Sequence, residues 1–167
     1  DFSSGAVIEI NNLTAISLHK KFLREIGKKV FRGEKIKKET ELSVAFVSPQ
    51  KIKELHKRYL RRNRVASVLS FSDQKEKFQF RSRKKITLGE IIICPSEVKK
   101  NAKKYRTDFQ VELARVFIHG ILNLLGYNRG RSKKAAQKME EREQYYLSQI
   151  FKSQFKIHGK SLFYRRS

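Results

Sequence analysis

Apolar residues recur at helical spacing through Val111, Ala114, Phe117, Ile118, Ile121, Leu122 and Leu125, within the stretch TDFQVELARVFIHGILNLLGYNR at residues 107–129. So wide an apolar face predicts a helix that runs through a core rather than over a surface. Thr107 or Asp108 can cap its start. Gly126 stands just past the last periodic residue, where a left-handed end conformation costs glycine nothing and the chain turns back. His119 lies two turns before that stop, the one histidine in a chemically suggestive place.

The apolar run at residues 6–10 predicts a short strand, Asn11 and Asn12 a turn, and residues 14–31 a helix whose buried face is Ile16, Leu18, Phe22, Leu23, Ile26 and Val30, ended by Gly33. Residues 41–47 (ELSVAFV) read as a strand, and Ser48-Pro49 opens the next helix with a cap and a first-turn proline, running to about Leu60. Residues 88–95 (LGEIIICP) form an apolar run of the interior-strand kind. A helix from Ser96 to about Tyr105 follows, and residues 132–151 make a last amphipathic helix bearing Glu140, Glu141 and Glu143. Alternating strand and helix signals of this kind predict an α/β domain, of the α+β type. A chain of 167 residues is one domain with room for an extension, placed here at 1–151 and 152–167, and is long enough to bury a core without staples.

Charge then narrows the partner class. Thirty-nine Lys and Arg against sixteen Asp and Glu give a formal charge of +23, a field that attracts polyanions at long range. Nucleic acid is the leading partner class. A membrane surface is disfavoured, because the basic residues spread over most of the chain rather than lying on one amphipathic helix. No run of about 18 apolar residues exists to cross a bilayer. The single cysteine, Cys94, cannot form an internal disulfide and reads as a small core residue. The chain begins at Asp1 rather than at methionine, which is compatible with an upstream segment such as a targeting peptide.

Two segments mix base-stacking and phosphate-binding side chains. Residues 74–87 interleave Phe78 and Phe80 with Arg81, Arg83, Lys84 and Lys85, which suits contact with phosphates and unpaired bases and equally suits an ordinary hairpin tip. Residues 152–167 mix Lys and Arg with Phe155, Phe163 and Tyr164, as a nucleic-acid-binding extension or a frayed terminus would. His19, His56 and His158 have no metal-ligand spacing to His119 and read as solvated or structural.

The segment His119-Gly120-Ile121-Leu122-Asn123-Leu124-Leu125-Gly126-Tyr127-Asn128-Arg129 resembles the signature H-G-x-L-H-L-x-G-Y-D-H of the YbeY family of ribosome-associated, zinc-dependent endoribonucleases. LGEIIICP resembles that family's L-G-D-I-x-I-C/S-P strand, with Glu90 replacing Asp. KRYLRRNRVASVLSFSD at residues 57–73 resembles its Y-R-x-x-x-x-P-T-D-V-L-S-F segment: Tyr59 and the strand Val68-Leu69-Ser70-Phe71 are kept, while Leu60 replaces the arginine and Ala66-Ser67 the Thr-Asp pair. Arg61, Arg62 and Arg64 crowd the same loop. The resemblance is best over residues 41–147 and implies a mixed sheet of about four strands flanked by helices, in an order the sequence does not give.

In the family motif, histidines at i and i+4 share a helical face, and a third after the glycine turn completes three nitrogens around an open tetrahedral zinc. The resemblance thereby implies zinc as Lewis acid, with a zinc-held water or hydroxide acting on an RNA phosphodiester. Of the ligand positions this chain retains only His119; Asn123 is a poor zinc ligand and Arg129 has no lone pair to offer. Bound zinc is therefore not expected. Cleft candidates are Arg61, Ser67 and Arg129, and Arg131 joins the RNA-binding candidates beside the loop residues above. Arg129 either engages the phosphate that zinc would polarise or is an ordinary basic replacement.

The leading expectation is a factor of rRNA maturation or small-subunit assembly that binds ribosomal RNA and small-subunit particles, with zinc-dependent hydrolysis lost or reduced, and without a small-molecule substrate. It would work in the cytoplasm or in an organellar matrix or stroma, in association with ribosomes. Two other readings stay open: an active endoribonuclease with ligands from elsewhere, such as His158 or a partner chain, and a structural RNA-binding component of the ribosome.

Overall fold

The computed structural model describes residues 6–36, 39–61, 66–72 and 86–152. The elements run β1 Val7–Asn12, α1 Lys20–Gly33, β2 Thr40–Phe46, α2 Pro49–Leu60, β3 Val68–Ser72, β4 Ile86–Ile93, α3 Pro95–Lys104, α4 Phe109–Leu124 and α5 Lys133–Ile150. The strands form one four-stranded mixed sheet in the order β1-β2-β4-β3. β1, β2 and β4 are mutually parallel and β3 is antiparallel to β4. The expected four-stranded mixed sheet flanked by helices is what the chain forms, and β4 is an interior strand, as its apolar run demands.

Strand alternation divides the sheet's two faces. Ile8, Ile10, Leu42, Val44, Phe46, Ile91 and Ile93 pack with α1 and α4 residues in the main core, which includes Leu23, Ile26, Phe117 and Ile121. Leu69, Ile92 and Cys94 point the other way and join Ile52 of α2 in a smaller cluster. Cys94 is fully buried, the small core residue that its surroundings predicted. His56 is buried on α2, so it is a structural histidine, whereas His19 is exposed.

α4 is the central helix, packed against α1, α3, α5, β3 and β4. Gly120 lets it approach the sheet: a Cβ there would come within 3.0 Å of the Ile91 side chain. The C-terminus of α4 closes as its sequence predicts. Gly126 takes φ +101°. Its N–H donates to the Asn123 carbonyl and that of Tyr127 to the Leu122 carbonyl, each at 3.1 Å, so carbonyls of the last turn find partners as the helix ends. Asp108 occupies the cap position at the start without a side-chain cap bond.

Two local expectations are corrected. The helix expected from residue 14 begins at Lys20. Upstream of it, Asn12 accepts from the Thr14 N–H at 3.0 Å and donates to the Ile16 carbonyl at 2.7 Å, and Ile16 N–H donates to Thr14 Oγ1 at 3.2 Å. These side-chain bonds offer the backbone an alternative to helix, which apolar spacing alone does not reveal. Asn11 and Asn12 do not turn but extend β1, opposite Ala45 and Phe46. Gly33 ends α1 as expected, and the left-handed residue beyond it is Lys35, at φ 55°. What requires glycine at 33 is space: a Cβ would lie 2.6 Å from Tyr146 Cε1 and 2.8 Å from its Cζ.

Candidate functional site

The site is built on the last two turns of α4, the turn after it, and the helix that returns across it. His119 and Asn123 are one turn apart, so they share a face. His119 Nδ1 lies 2.5 Å from Glu143 Oε1 of α5. The histidine side chain keeps 27% of its surface exposed, whereas that of Glu143 keeps 8%. A carboxylate accepts, so the imidazole donates from Nδ1, and Nε2 is the ring nitrogen not engaged by Glu143. Asn123 is occupied differently: its amide Nδ2 donates to Ser70 Oγ of β3 at 2.7 Å.

After Tyr127 the chain makes a tight exposed turn. Asn128 Oδ1 accepts from the Gly130 N–H at 3.0 Å, and Arg131 N–H donates to the Asn128 carbonyl at 3.3 Å. Arg129 and Arg131 are exposed and make no side-chain hydrogen bond or ion pair among the described residues. Tyr127 points inward, where its hydroxyl donates to Glu34 Oε1 at 2.7 Å. Tyr146 donates to Glu34 Oε2 at 2.9 Å, and Arg142 Nη2 reaches the same oxygen at 2.8 Å and Tyr146 Oη at 2.7 Å. The Arg142 guanidinium also lies 4.9 Å and 5.0 Å from the Tyr145 and Tyr146 ring centroids.

Burial pushes the Glu34 carboxyl upward, but bonds from Tyr127, Arg142 and Tyr146, together with the Arg142 charge, hold it below its ordinary 4.5. The Tyr127 and Tyr146 phenols are held above their ordinary 10, by burial first and then by donation to Glu34. A carboxyl depressed in the folded state contributes stability above 4.5 and loses it as pH falls through its folded value. Urea midpoints should therefore fall more steeply below about pH 4.5 in the native chain than in Glu34→Gln. Parallel profiles would show that Glu34 contributes nothing.

Of the other sequence-derived candidates, Ser67 is half-buried and its carbonyl accepts from the Cys94 N–H at 2.9 Å. Arg61 is exposed at the C-cap of α2 in a left-handed conformation, φ 53°. Arg62, Arg64, Phe78, Phe80, Arg81, Arg83, Lys84, Lys85 and His158 lie outside the described residues, as do residues 153–167 of the expected extension at 152–167. Sequence reasoning missed Glu34, Ser70 and Arg142, and named Glu143 only as part of an acidic helix. For Glu143 a signal existed: it stands in the buried stripe Met139, Tyr146, Leu147, where an acid needs a partner.

The donor set can be judged against zinc. His119 offers one imidazole, Asn123 a neutral amide turned to Ser70, and Arg129 a guanidinium. Among the described residues no group of three or more His, Cys, Asp or Glu could hold a metal. The residues at the family's ligand positions do not fit the ion.

Residues 8–151 match the model of the family described as Endoribonuclease YbeY. The chain belongs to this family. A relative from Thermodesulfovibrio yellowstonii named Endoribonuclease YbeY is 42% identical over 109 residues, 65% of this chain and 66% of the relative. Another of the same name, from Thermotoga neapolitana, is 33% identical over 135 residues, 79% of this chain and 83% of its own length. A solution structure of a Thermotoga maritima protein superposes with a TM-score of 0.59 at 25% identity, covering 96% of this chain and 99% of that one. RNA is the substrate class of an endoribonuclease family. Among the described residues no helix is long and apolar enough to cross a membrane.

Proposed function

We propose that this protein is an rRNA maturation factor that binds ribosomal RNA and small-subunit particles through its basic surface, and that zinc-dependent hydrolysis is lost or reduced. The observation that carries this reading is the state of the α4 site. His119 keeps a buried carboxylate behind it, while Asn123 is bonded to Ser70 and Arg129 adds a positive charge in the turn. The formal charge of +23 supports binding, and Arg129 and Arg131 are the exposed cations nearest the motif in sequence. Arg129 serves as a planar fork for a phosphate oxygen pair.

The test is the zinc content of gently purified protein, with zinc titration as a control, together with binding of a single-stranded rRNA fragment. Expected are no stoichiometric zinc and an affinity that falls with salt at a log–log slope of about −0.7 per phosphate contacted. Replacing both Arg129 and Arg131 by Ala should make the slope shallower by about 0.7 to 1.4. Stoichiometric zinc, with RNA cleavage abolished by chelators and by His119→Ala, would overturn the reading.

One observation favours the alternative of an active endoribonuclease with ligands from elsewhere. Metal-bound histidines ordinarily donate their second ring N–H to a carboxylate, and His119 has that arrangement with Glu143. A structural ribosomal component would resist a high-salt wash from the particles, whereas a transient factor is released.

A further inference from the structure

The four-residue cluster around Glu34 joins three parts of the chain that are distant in sequence: the end of α1, the turn following α4, and α5. Every bond of Glu34 draws on a different element or residue, and its carboxylate is the shared acceptor of Tyr127, Tyr146 and Arg142. Gly33 next to it is the residue whose missing Cβ lets the Tyr146 ring come close enough to donate. Tyr127 is the only one of these residues in the motif segment. It is held at its backbone by the Leu122 carbonyl and at its hydroxyl by Glu34, with Lys138 Nζ 5.8 Å from its ring centroid. Immediately beyond it come Asn128, Arg129, Gly130 and Arg131, whose internal contacts are the Asn128 bonds of an exposed turn. The direction in which that turn leaves the body of the protein is therefore set at Tyr127.

We infer that Glu34 is a positioning residue for RNA: by clamping Tyr127 against α5 it fixes the turn that presents Arg129 and Arg131 to phosphates. The inference rests on the RNA-binding reading above and adds to it a residue outside the motif, on the far side of the chain in sequence. Pre-ordering matters because a turn that must be ordered on binding spends part of the contact energy on its own entropy. Glu34 cannot touch the polyanion favourably itself, since its charge has the wrong sign.

That sign supplies the test. Glu34→Gln raises the net charge by one, so charge alone predicts tighter RNA binding, whereas loss of positioning predicts weaker binding. With the full chain and a single-stranded RNA oligonucleotide, Glu34→Gln should bind about five- to tenfold more weakly, with a shallower salt slope approaching that of Arg129→Ala/Arg131→Ala. Tyr127→Phe, which removes one hydroxyl and no charge, should move affinity and slope the same way. Added to the arginine double variant, either change should cost nothing further, a coupling that a merely structural defect would not produce. Native or tighter binding by both Glu34→Gln and Tyr127→Phe, with weakened binding by the arginine double variant, overturns the positioning role alone. An arginine double variant that binds like the native chain removes the turn from the RNA interface, and the positioning role falls with it.

Discussion

Asn123→His combined with Arg129→His is expected to take up one zinc per chain with a dissociation constant on the order of micromolar or below, where the native chain takes up none. The first reason is helical geometry. His119 and residue 123 stand on one face of α4, and the exposed Asn123 side chain is already held toward Ser70 on the neighbouring strand. The second is that the support for a metal-bound imidazole is in place: Glu143 fixes the His119 ring through Nδ1 and leaves Nε2 for the ion. The third is charge, since Arg129→His removes a permanent cation from the motif.

Each single variant should bind zinc far more weakly, because two imidazoles leave the ion without the third protein ligand of an open tetrahedral site. Glu143→Gln placed in the double-histidine background should weaken zinc about ten- to a hundredfold, the usual range for the carboxylate behind a ligand histidine. Titration with zinc and measurement of bound metal decide the matter. A double variant that stays free of zinc would mean that the turn after Gly126 no longer brings residue 129 within reach of His119.

How much of this was legible in the sequence depends on distance along the chain. The helices announce themselves because their signals lie within a few residues: Ser48 accepts from the Lys51 N–H at 3.2 Å and Ser132 from Ala135 N–H at 3.0 Å, each within the first turn it caps. Gly126 was readable for the same reason. The start of α1 was not, because Asn12 and Thr14 bond their own neighbours and override the apolar period. The site was half legible. His119 and the altered ligand positions lie within one motif, but Glu143 reaches His119 across 24 residues, and Glu34 meets Tyr127, Arg142 and Tyr146 across 93, 108 and 112. No periodicity encodes such pairs; only the fold brings them together.

Phe117→Ala should lower unfolding stability by about 3–5 kcal/mol, the range for emptying a well-packed aromatic site. Phe117 is fully buried on α4, and its ring lies against the position where Gly27 of α1 lacks a side chain, with Ile8 of β1 filling the same gap. Three elements thus close around one ring, and none can follow it inward without breaking strand pairing or helix contacts, so the cavity stays open. For a domain of this size each kcal/mol is about 2–4 °C in Tm, giving a drop of roughly 6–20 °C. Phe117 is two residues from His119, so it points to nearly the opposite side of the helix. RNA affinity measured well below the new Tm should then stay within about twofold of the native value, since additivity holds where sites share no partners. A loss below about 1 kcal/mol would mean that α1 and β1 collapse onto the vacated space, contrary to the usual cost of cavities. Lost RNA affinity in a variant that remains folded would mean that the packing of α4 and the surface it presents are one unit, with α1 steering the site through the core as well as through Glu34.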